Sequence, residues 1–168
     1  MSALDPMLPP TLTEFEFARR DVLRRLAGDM RRTVFVGPPS SGKTTLLHQL
    51  ASEVGPTAIL IDAPAFDPDA GPIALALLAA GLFPGSSRLV DALRIPGAWT
   101  RKKDDILAVV REHAREKVVL FDEPFANSTP GPVAPPFGRQ LAELANDLLA
   151  VDGLKVVWSA ADWPIPTE

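Results

Sequence analysis

The sequence lacks cysteine altogether and has only two histidines among its 168 residues. A disulfide framework and a thiolate metal site are therefore excluded, and a histidine-based metal centre would need carboxylate ligands as well. The longest apolar run, "IALALLAAGLF" from Ile73, falls well short of the roughly 20 residues that span a bilayer. Residues 1–10 are neither basic nor continuously apolar, so we expect no signal peptide. We therefore expect a soluble, cytoplasmic protein without a membrane span.

An excess of positive charge is also missing, since the formal net charge is −4 at pH 7. A general attraction to nucleic acid or to an anionic membrane is therefore not implied. The charge is uneven, however, because six arginines fall within one 14-residue window: Arg19, Arg20, Arg24, Arg25, Arg31 and Arg32. Such arginines most often form a solvated helix face, and contact with an acidic partner or with nucleic acid phosphates is the alternative.

Short apolar runs alternate with amphipathic segments along the chain. We predict four strands, at "RTVFVG", "TAILID", "KVVLFDE" and "LKVVWSA". We predict helices at residues 14–30, after Lys43, from Pro72, at 86–93, at 104–114 and around 141–149. This alternation is typical of the α/β class, in which helices cover both faces of a mostly parallel sheet.

The length of the chain allows one ordinary domain. We place this domain at residues 14–163, between a flexible N-terminal lead-in (1–13) and a C-terminal tail (164–168). Inside it, Pro124–Gly138 holds five prolines and is long for a loop in a compact domain.

The stretch "VGPPSSGKTTLL", residues 36–47, contains the pattern Gly-x-x-x-x-Gly-Lys-Thr. Its glycines let the backbone bend so that successive N–H groups point at one anion, and the following helix adds the partial positive charge of its N-terminus. Lys43 would reach the β- and γ-phosphates of a nucleotide, and the Thr44 hydroxyl would ligate Mg²⁺. The predicted phosphate-binding residues are Gly37, Pro38, Pro39, Ser40, Ser41, Gly42, Lys43, Thr44 and Thr45.

Asp122 and Glu123 directly follow the apolar run "VVLF". Asp122, at the carboxyl end of a strand, would hold Mg²⁺ directly or through water. Glu123 would polarise the water that attacks the γ-phosphate, as Lys43 neutralises its charge. Ser159 ends the fourth strand, and if that strand lies between the other two, its hydroxyl would lie near the γ-phosphate. An ordinary cap or turn is the alternative for each of these residues.

Together these motifs resemble P-loop ATPases that carry an additional strand and a catalytic glutamate, and among them the AAA-related and STAND-type ATPases. The segment "FARRDVLRRL" (residues 17–26) resembles their arginine-bearing opening, with Arg19 or Arg20 in the arginine position and alanine in place of glycine. The resemblance covers residues 15–163. It implies a three-layer αβα fold, binding of ATP with Mg²⁺, and ATP hydrolysis.

The chain departs from that family at its end. The family core has five parallel strands and a helical lid, whereas "DWPIPTE" carries two prolines and cannot be a central strand. We therefore expect the fifth strand and the lid to be missing, as in the N-terminal core of a longer or split protein, or in a reduced relative that works in an assembly. A protein partner or a second copy would then supply an arginine, and Arg139 is the one candidate within the chain.

Three other functions stay open. An ABC-type ATPase fragment would explain "FDEPFANSTP", but the chain has no "LSGGQ"-like signature and carries Ser159 where those ATPases place a histidine. A small-molecule kinase would use Arg88, Arg94 and Arg101 in a lid, but it has no need of Glu123. A nucleotide-dependent interaction module that does not hydrolyse ATP would agree with the missing fifth strand. Hydrolysis by the isolated chain distinguishes this module from an ATPase.

Overall fold

The computed structural model describes residues 25, 28, 31–63, 69–84, 98–126 and 136–161. Within them, four strands form one sheet: β1 (Arg32–Val36), β2 (Ala58–Ile61), β3 (Val118–Phe121) and β4 (Lys155–Ala160). The α-helices are α1 (Lys43–Val54), α2 (Ala70–Leu82), α3 (Trp99–Glu112) and α4 (Pro136–Leu149). A 3₁₀ turn, Gly55–Thr57, joins α1 to β2.

The strand order is β1-β4-β3-β2, and every neighbouring pair is parallel. β4 therefore lies between the strand that precedes the glycine-rich loop and the strand that precedes Asp122. The register sets Phe35 opposite Ser159 and Phe121 opposite Trp158, so the carboxyl ends of three strands meet at one edge. The described part of the chain adds no fifth strand to this sheet and no helical lid after it.

Both faces of the sheet are covered, which confirms the predicted three-layer α/β fold. Along β3, Val118 and Leu120 face α1, whereas Val119 and Phe121 face the opposite layer of α2, α3 and α4. All of β3 is buried, as continuous apolar runs in parallel sheets predict. A fully buried side chain of this size contributes about 1.5–3 kcal/mol relative to an exposed one.

α2 contains the longest apolar run of the sequence, which starts at Ile73. Seven of its 13 residues are buried, and it packs against β2, α3 and α4. A Cβ on Gly81 would lie 2.6 Å from the Ile59 side chain, so this glycine lets α2 approach β2 closely. No described helix, α2 included, is long and apolar enough to cross a membrane.

Helix starts differ most from the predictions. α2 begins at Ala70, so Pro72 is the third residue of the helix and not the first. α3 begins at Trp99, five residues before its predicted start, because an ion pair buries Lys103 in a segment that is polar after Trp99. α4 begins at Pro136, inside the predicted loop, since a proline is tolerated in the first turn. The predicted helices at 14–30, apart from residues 25 and 28, and at 86–93 lie outside the described residues.

That ion pair joins α3 to α4. Lys103 is 5% exposed and pairs with Glu143 and with Asp147 (2.5 Å), and Trp99 Nε1 donates to Glu143 Oε2 (3.2 Å). Burial lowers the pKa of Lys103, but the hydrogen bonds and charges of Asp147 and Glu143 outweigh burial, so this pKa is raised. The hydrogen bond from Lys103 is the main reason that the pKa of Glu143 is lowered.

Candidate functional site

The loop between β1 and α1 needs its two glycines for different reasons. Gly42 has a φ of 85°, in the left-handed region that favours glycine. Gly37 donates its N–H to Ala160 O (3.1 Å), and a Cβ there would lie only 2.8 Å from Ser41 Oγ. Ser40 also has a positive φ, 62°, which costs a non-glycine residue about 1–2 kcal/mol. The loop is therefore a specific, locally strained backbone shape.

The N-terminus of α1 opens onto this loop. Gly42 caps the helix without a side-chain hydrogen bond, and the first turn holds no acidic residue. The N–H groups there, and their partial positive charge, are therefore not offset by this helix's own side chains. The Gly37 N–H already donates to Ala160 O, and Pro38 and Pro39 have no N–H, so the backbone donors available to a phosphate begin at Ser40. Such a helix start favours an anion.

The Lys43 side chain lies folded over its own loop. It is 8% exposed, and its Nζ donates to Gly37 O (2.6 Å) and Pro38 O (2.9 Å). The same nitrogen lies 3.0 Å from Glu123 Oε1. The lysine and the glutamate, which sequence reasoning placed at one site, thus neutralise each other directly.

Asp122 joins three elements at the carboxyl edge of the sheet. Thr44 Oγ1, on α1, donates to Asp122 Oδ2 (2.7 Å), and Ser159 Oγ, on β4, donates to Asp122 Oδ1 (2.5 Å). Asp122 itself continues from β3, and its N–H donates to Ile61 O (2.9 Å). Both carboxylate oxygens are therefore held in a defined direction by protein donors.

Ser159 also holds the residue after Asp122. The Glu123 N–H donates to Ser159 Oγ (2.8 Å), and the φ of Glu123 is 41°. A non-glycine residue in this region carries backbone strain, which the surrounding contacts must offset. Ser159 is 1% exposed, and its hydroxyl bonds to both acidic residues. Its predicted contact with a γ-phosphate stays a prediction.

Thr44 and Asp122 suit a magnesium ion that is also coordinated by oxygens of a bound molecule. They offer a hydroxyl and a carboxylate oxygen 2.7 Å apart, and Mg²⁺ prefers such oxygens while keeping several of its waters. No group of three or more acidic or histidine residues that could hold a metal occurs in the described part of the chain. The donor set fits an ion whose remaining ligands are phosphate oxygens and water.

One further pair at this edge had no predicted role. Asp62 directly follows β2, as Asp122 follows β3, and its Oδ2 lies 3.2 Å from His48 Nε2. The repeated pattern "LID" and "LFD" at two strand ends was the available signal.

The predicted arginines contribute no described contact to the site. Arg101 lies in the first turn of α3 and Arg139 near the start of α4, and both are exposed. Arg19, Arg20 and the other two arginines of the suggested kinase lid lie outside the described residues.

Comparison with protein-family models finds a match over residues 33–125. The matching model is that of the ATPase family associated with various cellular activities (AAA). The matched segment covers more than half of the chain, from β1 through the glycine-rich loop to Asp122 and Glu123, and it ends before β4. A search of curated proteins gave no significant match.

Proposed function

Because the chain belongs to the ATPase family associated with various cellular activities (AAA), we propose that it binds ATP with Mg²⁺ and hydrolyses the β–γ bond. The observation that carries this proposal is the convergence on Asp122, which accepts hydrogen bonds from Thr44 (2.7 Å) and Ser159 (2.5 Å). It supports a magnesium site beside a helix N-terminus that favours phosphate.

The phosphates bind to the N–H groups from Ser40 to Thr45 and to the Lys43 ammonium. To reach the phosphates, the Lys43 ammonium must leave its present acceptors, Gly37 O and Pro38 O. Phosphate oxygens then replace these two carbonyl oxygens as its hydrogen-bond acceptors. Thr44 and Asp122 ligate Mg²⁺, which when bound neutralises charge on the β- and γ-phosphates. Positioning and charge neutralisation are the main sources of catalysis in phosphoryl transfer.

Glu123 orients the attacking water and accepts its proton. Its carboxylate lies 3.0 Å from Lys43 Nζ, so it becomes available when Lys43 moves to the phosphates. The movement of Lys43 thus couples phosphate binding to the release of the general base. We propose that Ser159 contributes to the same site, where its hydroxyl bonds to both residues that follow β3.

The position of β4 between β1 and β3, together with Glu123, supports the additional-strand, catalytic-glutamate class of P-loop ATPases. Assignment to the STAND subclass rests on "FARRDVLRRL" and is part of the proposal. The ion pairs described at the site involve a single cation, Lys43. We propose that a second copy or a partner protein supplies an arginine in a cytoplasmic assembly, a contribution worth about 10³–10⁵ in rate.

Calorimetry with ATP, in the presence and absence of Mg²⁺, tests binding at this site. We expect the wild-type chain to bind ATP more tightly with Mg²⁺, and Lys43→Ala to abolish binding. Thr44→Val should remove the Mg²⁺ dependence while retaining weak binding, because it deletes one metal ligand and keeps the loop. Equal ATP affinity of the wild type and Lys43→Ala would contradict the proposed site.

A further inference from the structure

The amino edge of the sheet, opposite the proposed nucleotide site, carries positive charge on three adjacent strands. Arg31 and Arg32 lie at the start of β1, Lys155 begins β4, and Lys117 directly precedes β3. The register sets Arg32 opposite Val156 and Lys155 opposite Val118, so these cations follow one another across the sheet. Because neighbouring strands are about 4.8 Å apart, the row extends over roughly 10 Å.

Most of these cations have no carboxylate partner among the described residues. Arg31, Arg32 and Arg115 are exposed and Lys155 is half-buried, and none of them forms an ion pair in the described part of the chain. The chain has 21 acidic residues and a net charge of −4. A shortage of carboxylates is therefore not the reason that these cations lack a described partner. Unpaired cations in a row create a local positive potential that a partner can neutralise.

A cleft of about 460 Å³ opens at the same edge. Arg115, Lys117 and Lys155 line it, together with Val118 and two carboxylates, those of Glu53 and Glu116. This volume holds a few side chains of a partner. Its polar lining includes both signs of charge, with the cations in excess.

We propose that this edge docks an acidic segment of a partner protein, with carboxylates of that segment between Arg115 and Lys155. Glu53 and Glu116 would repel a continuous phosphate chain, and the described residues that line the cleft include no aromatic ring on which a base could stack. A polypeptide, in contrast, can place neutral or basic side chains beside those two carboxylates. The proposal is independent of ATP hydrolysis.

The location allows a partner and a nucleotide to bind at the same time. Strands of four to six residues separate the amino edge from the carboxyl edge, a distance of about 13–20 Å. A segment docked at Arg115 therefore leaves the loop around Lys43 open.

Fluorescence anisotropy with a labelled peptide of alternating glutamate and alanine tests the proposal on the full chain. Arg31→Glu and Arg115→Glu each reverse one charge of the edge. Arg101→Glu is the control, because it makes the same net change of charge at an exposed position near the start of α3. Reversing a charge about 6 Å from a ligand carboxylate in water weakens binding about tenfold. Arg115 follows the C-terminal end of α3, and Arg101 lies about 17 Å from that end along the helix. This distance exceeds the screening length of about 10 Å at 0.1 M salt, so the peptide affinity of Arg101→Glu should stay within about twofold of wild type.

Thermal unfolding of all three variants controls for folding, since exposed arginines should leave the melting temperature unchanged. Peptide binding that weakens in Arg31→Glu and Arg115→Glu but not in Arg101→Glu supports the proposal. No binding of the peptide, or equal weakening in all three variants, overturns it.

A thymidine oligonucleotide of the same net charge is the competing probe. If it binds more tightly than the peptide and shows the same variant pattern, the edge is a nucleic acid surface and the proposal is wrong.

Discussion

The ion pair between Lys43 and Glu123 predicts that removing the glutamate charge strengthens nucleotide binding. The lysine must leave the glutamate, 3.0 Å away, before it can meet a phosphate. Glu123→Gln keeps the shape of the side chain and weakens this competing contact. ADP is the informative ligand, because it lacks the γ-phosphate that Glu123 would repel directly.

The size of the effect follows from exposure. An unscreened pair at this distance would be worth several kcal/mol at an effective dielectric constant of about 20. Glu123 is 34% exposed, however, so solvent screening reduces the pair to the upper part of the range for surface ion pairs, about 1 kcal/mol. This free energy corresponds to about fivefold tighter ADP binding in Glu123→Gln.

Isothermal titration calorimetry with Mg²⁺ and ADP measures this change. Asp62→Asn is the matched control, since Asp62 is a carboxylate at the same edge but pairs with His48 and not with Lys43. We expect its ADP affinity to stay within about twofold of wild type, because only screened long-range charge is removed. Unchanged ADP affinity in Glu123→Gln, or an equal gain in Asp62→Asn, would refute the competition between the ion pair and the nucleotide.

Three further predictions concern packing and charge. Ser159→Ala leaves the partly buried Glu123 N–H without its acceptor, so urea unfolding should show a loss of about 1–3 kcal/mol. An unchanged stability would mean that this hydroxyl matters only for a ligand. The pKa of Glu143 is lowered from 4.5, so its ion pair stabilises the fold above that pH, and this contribution is lost as pH falls through the lower pKa of the folded state. Lys103→Met removes the pair and should make the loss of stability on acidification smaller. An identical pH profile of stability would exclude the pair as the source of that loss. Gly81→Ala places a Cβ 2.6 Å from the Ile59 side chain and should destabilise the fold by about 1–3 kcal/mol in the same unfolding assay, whereas a neutral result would show that α2 shifts freely over β2.

Local patterns were sufficient to predict the sheet and most of the site. Continuous apolar runs of three or four residues identify buried parallel strands, and the spacing of Gly37, Gly42 and Thr44 identifies the loop. Because the chain alternates strands and helices, the carboxyl ends of the strands meet at one edge. The residues that follow β3 could therefore be placed beside the loop without a structure.

Contacts between distant residues could not be predicted from such patterns. Lys103 reaches Glu143 from 40 residues away, and this pair stabilises a helix start that looks like a solvated segment. The two bonds of the Ser159 hydroxyl depend on a strand order that local periodicity does not determine. The ion pair of Lys43 with Glu123 likewise joins distant parts of the chain, the start of α1 and the segment after β3.

The central claim is that the chain hydrolyses ATP with Glu123 as the general base. A single-turnover assay with γ-labelled ATP and excess protein tests it most directly, with bound nucleotide and released phosphate measured in the same sample. We predict that the wild-type chain binds ATP and converts it to ADP, and that Glu123→Gln binds ATP and leaves it intact. If a second copy supplies an arginine, the rate per molecule of wild-type protein should rise with protein concentration. Phosphate release by Glu123→Gln at the wild-type rate, or intact ATP on the wild-type chain at every protein concentration, would contradict the account.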